Sequence, residues 1–443
     1  MVKKNTIKNE DGPRPISNGM EKIVSLCKRR GFIFQGSEIY GGLAGTWDYG
    51  HLGLALKKNI ERSWWNMFVD ARDDMYGVDS SILMNSAVWE ASGHIAGFSD
   101  PLVACKKCKK RFRADHIEGA RCPECGGDLG EAKQFNMMFQ THVGSVAGED
   151  TIYLRPETAQ GMFVNFKNII DAHHPKLPFG IAQIGRAFRN EIAPRDFIFR
   201  VRELEIMELE YFVRGGEWEK YFEYWLESMR EWFRVLGFGA DDIKEVEIGG
   251  SDLAHYSKRT VDFHFRYPHK FDEIGGLAYR TDYDLKNHTE KSGVDLSYLD
   301  PLDNKKFVPH VLEPTFGLGR HVLAVLVKAY TEDELGGEKR IVLKFPKNLA
   351  PIRVAVFPLV KNKPELVDRA RGIYENLKKS IPQTVWDDNG NIGKRYRRQD
   401  EIGTPYCVTV DYQTLEDNSV TIRDRDLGGQ RRVAVDAIAS SVS

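Results

Sequence analysis

A chain of 443 residues has room for about three domains of ~150 residues each, and 42% hydrophobic with 29% charged residues describes an ordinary soluble protein. A formal net charge of −1 excludes a globally basic nucleic-acid binder, so any such surface has to be local. No apolar run approaches the ~18 residues of a membrane span, which argues for no membrane partner. The polar start from Met1 to Pro13 lacks the apolar segment of a secretion signal, so the expected compartment is the cytoplasm. There, six cysteines read as thiols or metal ligands rather than disulfides.

Residues 1 to about 18 read as a loose polar tail. Met20 to Arg30 has helical spacing with Ile23, Leu26 and Cys27 on one side, which makes Cys27 a core residue. Five glycines between Ser37 and Gly53, beside Tyr40, Trp47 and Tyr49, fit either turns or a close backbone approach to a ligand or partner chain. Leu54 to Asp70 is expected to be a helix with Leu56, Ile60, Trp64 and Met67 on its apolar face, followed by a strand-like Ser81 to Met84.

Residues 101 to 130 carry Cys105-x-x-Cys108, thirteen residues, then Cys122-x-x-Cys125. Two such knuckles close a tetrahedral thiolate site, for which zinc is the expected ion, and four thiolates leave no open position, so the role is structural. Gly126 and Gly127 permit the tight turn after the second knuckle, and His116 between the knuckles reads as a bystander. The basic run Lys106 to Arg113 fits a solvated face as well as an RNA contact.

After Leu154-Arg-Pro-Glu-Thr-Ala-Gln-Gly161, the stretch Ile181 to Phe212 predicts a long antiparallel hairpin with its turn at Pro194, Arg195 and Asp196. Period-two alternation places Arg189 and Glu191 on one face of the first strand. On the second strand it groups Arg200, Arg202, Leu204, Ile206 and Glu208, and at about 3.3 Å per residue Leu204 and Glu208 lie roughly 13 Å apart. Such charges are costly on a core-facing sheet unless a polar ligand meets them. Trp218 to Leu236 reads as a core helix, Phe271 to Tyr279 as a small-residue strand leading into Arg280-Thr-Asp-Tyr-Asp-Leu285, and His310 to Leu326 as strand, glycine turn and apolar helix.

Pro346 to Pro351 breaks the pattern and sets the boundary between domains 1–345 and 346–443. Beyond it, strand Arg353 to Phe357, helix Pro364 to Ser380, strand Thr384 to Trp386, the basic run Gly393 to Gly403, and strands Tyr406 to Val410 and Ser419 to Arg423 imply a small α/β domain with a mixed sheet.

Phe188-Arg-x-Glu191, a short loop, then Arg200-x-x-x-Leu204-x-x-x-Glu208 resembles motif 2 of the class II aminoacyl-tRNA synthetases. The resemblance implies that Arg189 holds the ATP α-phosphate and the amino acid carboxylate, Glu191 reads the adenine amino group and Arg200 reaches the γ-phosphate. A guanidinium grips both anions bidentately. The family has Phe stacked on adenine where this chain has Leu204. Gly317-Leu-Gly-Arg320 is similar to motif 3, whose Arg320 lies over the adenine. The long helix at Leu54 occupies the place of motif 1, which forms the dimer interface in that family, although no proline stands between Pro15 and Pro101 where motif 1 usually has one.

The Leu-Arg-Pro-Glu-Thr-Ala-Gln-Gly block and Arg-Thr-Asp-Tyr-Asp-Leu narrow the resemblance to the homodimeric glycyl-tRNA synthetases. It implies an α+β fold: a class II catalytic core on an antiparallel sheet with flanking helices and a zinc-binding insertion, plus a C-terminal α/β anticodon-binding domain. Glu157, Glu208, Glu313 and Thr315 would then line the glycine pocket, with Arg280 facing the substrate carboxyl or phosphate and Thr315 standing where serine is usual. ATP with magnesium, glycine and tRNA(Gly) would be the substrates, and Lys394, Arg395, Arg397 and Arg398 would meet tRNA phosphates. The rivals are a non-catalytic, synthetase-shaped nucleic-acid-binding subunit, which would typically lose Arg189, Arg200 and Arg320, and a class II enzyme for another amino acid.

Overall fold

In a computed structural model that describes residues 19–117, 119–145, 150–250 and 253–442, the two long hairpin strands pair within a seven-stranded sheet. The expected tail before residue 19 and the side chain of His116 lie outside the described residues. The strands of this sheet are β1 (Met75–Gly77), β2 (Phe179–Phe188), β3 (Glu203–Val213), β4 (Ile243–Ile248), β5 (Arg259–Arg266), β6 (Phe271–Thr281) and β7 (His310–Gly317). Their order is β4-β5-β6-β7-β3-β2-β1. Neighbours run antiparallel except β1, which lies parallel to β2.

Alternation along β3 decides what each face carries. Met207, Leu209, Tyr211 and Val213 join one apolar cluster with Leu56, Ile60, Trp64, Trp225, Trp232 and Val322. Burying an aliphatic or aromatic side chain of this size contributes about 1.5–3 kcal/mol. Phe212 points to the opposite cluster, with Phe163, Phe166, Phe179 and Leu285. Glu208 and Glu210 share the Phe212 face by the same period of two, so acids and apolar rings occupy one side of the sheet.

The hairpin is shorter than expected. β2 ends at Phe188 and β3 begins at Glu203, so Arg189, Glu191, Arg200 and Arg202 stand on the intervening loop and strand alternation does not govern them. Arg195 and Arg200 exchange backbone hydrogen bonds of 3.2 Å, and Asp196 and Phe197, both at positive φ, make the turn slightly beyond the expected position. The glycine-rich segment braces this loop: Arg202 N donates to Gly45 O, and a Cβ on Gly45 would lie 2.7 Å from Pro194 Cβ. At Gly45 the close approach is therefore made to this chain's own loop.

Helix Gly19–Arg30 buries Ile23, Leu26 and Cys27 as expected, and burial pushes the Cys27 thiol up to about 12. Helix His51–Trp65 continues into a π-turn at Asn66–Asp70, which seats Phe68 in the core and leaves Met67 half-buried against it. Ser81 to Met84 is not a strand: only Leu83 forms a bridge, to Leu154, while Ser80 O is taken by the Arg155 guanidinium at 2.7 Å. Helix Trp218–Val235 buries Phe222, Trp225, Leu226, Met229, Trp232 and Phe233 and is a core helix.

The insertion folds as a small sheet, with Ser99–Ala104 between Arg111–Arg113 and Lys133–Asn136. At the C-terminal end, β8 (Val354–Pro358), β9 (Thr384–Trp386), β10 (Tyr406–Val410), β11 (Ser419–Asp424) and β12 (Gln430–Ala434) form the mixed sheet β9-β8-β10-β11-β12. β8 pairs parallel with β9 and β10, and the rest are antiparallel. β12 was not expected: its sequence Gln-Arg-Arg-Val-Ala is an exposed edge without alternation. A hairpin of Tyr330–Leu335 and Glu338–Leu343 leads from the main sheet's last helix, Leu318–Ala329, and packs on helix Ile392–Ile402.

Candidate active site

A cavity of about 640 Å³ opens above β3, β6 and β7. Its walls include Arg189, Glu191, Arg200, Leu204, Thr315 and Arg320, so five residues expected at ATP and one expected at glycine meet in one space. Arg189 is oriented by donating Nε to Pro156 O at 3.0 Å, with its guanidinium 5.5 Å from the Phe98 ring centre. Arg320 stands in the first turn of helix Leu318–Ala329, 4.5 Å over the Phe199 ring and 3.0 Å from Glu273. The field is cationic: Arg320 and then Arg189 lower the Glu273 pKa, while burial and the like charges of Arg195, Arg320 and Arg113 lower that of Arg200. Glu191 Oε2 is buried without a hydrogen-bond partner.

Beneath the cavity lies an acid cluster, and Thr315 joins the two. Its hydroxyl donates to Glu208 Oε1 at 2.9 Å, and Glu208 Oε2 accepts from the Thr158 backbone N–H at 3.1 Å and from its hydroxyl. β3 and β7 set this up by pairing Glu208 opposite Thr315. Arg280 is 1% exposed and donates Nη1 to Glu313 at 2.6 Å and Nε and Nη2 to Asp284 at 2.8 Å, with Tyr256 3.8 Å over its guanidinium. Its donors thus hold the pocket acids.

Glu157 sits 3.2 Å from His94 Nε2 and accepts from Gln160 at 2.9 Å. Burial pushes its pKa up, but His94 and Arg280 outweigh this and hold it well below the usual carboxylate range. Burial and the neighbouring Glu157 push Glu208 up. Burial pushes Glu210 and Glu313 well above the usual carboxylate range, Glu313 adding to the rise of Glu210, and Glu208 and Glu157 to that of Glu313 against the pull of Arg280.

Sequence reading missed His94, Gln160, Glu210, Tyr256, Glu273 and Asp284. Gln160 and Asp284 fall inside motifs already recognised, and Glu210 follows Glu208 at the strand period. His94 and Tyr256 lie on loops and a short helix whose placement no local pattern encodes.

The four knuckle cysteines converge as their spacing requires. Sγ of Cys105 and Cys125 are 3.5 Å apart, Sγ of Cys108 and Cys122 3.7 Å, and all four lie within 4.8 Å of one another. A tetrahedral ion with bonds of about 2.3 Å requires sulfur separations of about 3.8 Å, so this donor set fits zinc. Gly126 takes φ +68°, and a Cβ on Gly127 would meet Lys107 Cβ at 2.8 Å. The insertion reaches the cavity loop: Asn190 N donates to Met137 O at 2.7 Å.

In the C-terminal unit, Arg395 is buried and donates to the Pro358, Asp388 and Gly390 carbonyls, so it is a structural residue and not a surface phosphate contact. Arg398 pairs with Asp387 and Arg397 with Glu338, while Lys394 is exposed.

Residues 142–329 match a family model described as the tRNA synthetase class II core domain (G, H, P, S and T), and residues 353–443 match one described as an anticodon binding domain. The chain is 47% identical to a glycine–tRNA ligase of Caldanaerobacter subterraneus subsp. tengcongensis, covering 96% of this chain and 98% of that protein. It is 49% identical to one of Treponema denticola, covering 94% of each, and 46% identical to one of Thermobifida fusca, covering 95% and 97%.

Proposed function

The chain belongs to the glycine–tRNA ligase family of class II synthetases, and from that membership we propose that it activates glycine with ATP and transfers it to the 3′ end of tRNA(Gly). The glycine carboxylate attacks the α-phosphorus, pyrophosphate leaves, and a terminal ribose hydroxyl of the tRNA then takes the glycyl group. Neither step needs a protein nucleophile. Arg189 holds the α-phosphate and the carboxylate, Arg200 and Arg320 neutralise the outer phosphates of magnesium-bound ATP, and Glu191 and Leu204 bound the adenine. Glu157, Glu208 and Glu313 attract the ammonium, Thr315 fixes Glu208, and Arg280 holds Glu313.

The observation that carries this reading is the Thr315 junction: one residue lines the arginine-rich cavity and hydrogen-bonds the acid cluster beneath it. An anionic triphosphate and a cationic amine can therefore be held side by side. Glycine has no side chain to grip, and every competitor is larger, so a small acid pocket selects by exclusion and no editing site is needed.

Zinc held by Cys105, Cys108, Cys122 and Cys125 would brace the insertion against the cavity loop. Exposed Ile39, Tyr40 and Leu43, next to the motif 1 helix, support a homodimer. Among the described residues no helix is long and apolar enough to cross a membrane, and the cytoplasm is the compartment proposed. ATP–pyrophosphate exchange run with each amino acid in turn tests the reading. Glycine should drive it and Arg189→Ala should abolish it; better exchange with serine, alanine or threonine, or none with any amino acid, would overturn it.

A further inference from the structure

Glu210 is the one member of the acid cluster that the reaction above leaves unused. Its side chain is fully buried, and both carboxyl oxygens lack a hydrogen-bond partner. Its neighbours are each engaged: Glu208 by Thr158 and Thr315, Glu313 and Asp284 by Arg280, Glu157 by His94 and Gln160. The register that sets Glu208 opposite Thr315 and Tyr211 opposite Leu312 brings Glu210 across from Glu313. Carboxyl oxygens of Glu208, Glu210 and Glu313 lie within 4.8 Å of one another.

Two carboxylates this close in a dry interior cannot both ionise. The charged groups facing Glu210 are Glu208 on its own strand, Glu313 on β7, Arg280 on β6 and Asp284 on helix Tyr283–Ser292. The helix Ala159–His173 contributes the neutral Gln160, itself bonded to Asp284 and His288. The single guanidinium is already committed to two of these acids. Neither Glu210 nor Glu313 lines the cavity, and the cluster meets it at Thr315, so Glu210 reaches the substrate only through its neighbours. For stability alone an apolar side chain of that volume would serve better.

We propose that Glu210 is a positioning residue for glycine selection, holding a proton between itself and Glu313 so that the pair presents one negative charge, through Glu313, to the substrate ammonium. A doubly charged pair would overmatch a monovalent amine, and a fully neutral pair would not attract it. This deepens the glycine-pocket reading and rests on it.

The test uses the full-length protein and two variants. Glu210→Gln keeps the shape and a permanent neutral donor; Glu210→Leu removes the donor. In pyrophosphate exchange, Glu210→Gln should keep the glycine KM within about twofold, while Glu210→Leu should raise it about tenfold with kcat and the ATP KM near parental. The infrared difference spectrum between parent and Glu210→Gln at neutral pH should show loss of a protonated-carboxyl C=O band. Loss of a carboxylate band instead, a Glu210→Gln KM raised as far as that of Glu210→Leu, or a parental KM in Glu210→Leu would each overturn the proposal. If circular dichroism shows Glu210→Leu unfolded, the glutamine variant and the infrared band decide alone. If the parent shows no glycine-dependent exchange, the glycine-pocket reading fails, while the infrared band still reports whether Glu210 carries the proton.

Discussion

Two ionic clusters in this protein are assembled from the same groups in different proportions. Under the cavity, the carboxyls of Glu157, Glu208, Glu210, Asp284 and Glu313 gather around one guanidinium, that of Arg280. Where the C-terminal unit meets the hairpin, Asp400 is fully buried between two guanidiniums. Arg340 donates at 3.0 Å and Arg423 at 2.8 and 3.0 Å, with Asp333 taking the rest of Arg340. Buried charge is expensive unless it is paired. The second cluster pairs within the protein and holds structure; the first keeps more carboxyls than its guanidinium can pair.

A third cluster should produce the largest effect. If Cys105, Cys108, Cys122 and Cys125 bind zinc, the metal contributes on the order of 10 kcal/mol to folding of the insertion. Elemental analysis should find about one zinc per chain in the parent and none in a Cys105→Ser, Cys108→Ser variant, whose exchange should fall as the Asn190–Met137 contact loosens. Unchanged metal content would show that these cysteines are not the ligands.

The contrast itself is broken or kept by a pair of neutralisations. Asp400→Asn should cost about 3–5 kcal/mol in denaturant unfolding, because two arginines lose their shared acid, and should leave exchange by the folded protein intact. Glu313→Gln should do the reverse, lowering glycine-dependent kcat/KM roughly 10²-fold through loss of about 2–3 kcal/mol, with an unchanged or higher unfolding midpoint. An unfolded Glu313→Gln, or a folded but inactive Asp400→Asn, would erase the distinction.

A smaller effect lies in pH dependence. The folded pKa of Glu210 is raised by burial and by Glu313. Stability from its proton is therefore whole below the unfolded value of about 4.3 and is lost as pH rises through the folded one. Relative to Glu210→Gln, the parent should lose stability as pH rises from about 4.3 until the raised folded pKa is passed. Parallel unfolding midpoints across that range would contradict it.

The smallest effect belongs to the apolar wall above the acids. Leu204→Phe should lower the KM for ATP up to roughly tenfold, since ring stacking is worth about 0.5–1.5 kcal/mol. An unchanged KM would mean that another group already supplies the platform.

How much of this was legible follows from the range of each interaction. The long strands, the core helices and the cysteine knuckles carry local periods or spacings, and the C-terminal sheet was readable except for its unpatterned edge β12. The cavity arginines were visible as motif residues, but their footing on a loop was not, because Gly45 and Pro194 meet across 149 positions of chain. The acid excess was only half visible. Glu208 and Glu210 share a face by simple alternation, yet which acid has a partner depends on the register with β7, more than a hundred residues later. Four of the five residues from Lys394 to Arg398 are basic, and only the packing of their helix against Pro358 makes Arg395 interior.

The hairpin that presents Arg340 has a mechanical consequence. Helix Leu318–Ala329 runs straight into the strand Tyr330–Leu335 with no intervening loop. The helix is a rod of about 18 Å at 1.5 Å per residue. Arg320 rides near one end, and the other is bolted through Arg340 to Asp400. The proline-bounded segment near Pro346 is thus a seam in the covalent chain but not a joint in the machine. Severing it would strip Arg340 of one counter-ion and uncover Phe345, against which Gly403 packs. The C-terminal sheet and the helix that carries Arg320 are thus joined by a buried ion pair as well as by the covalent chain.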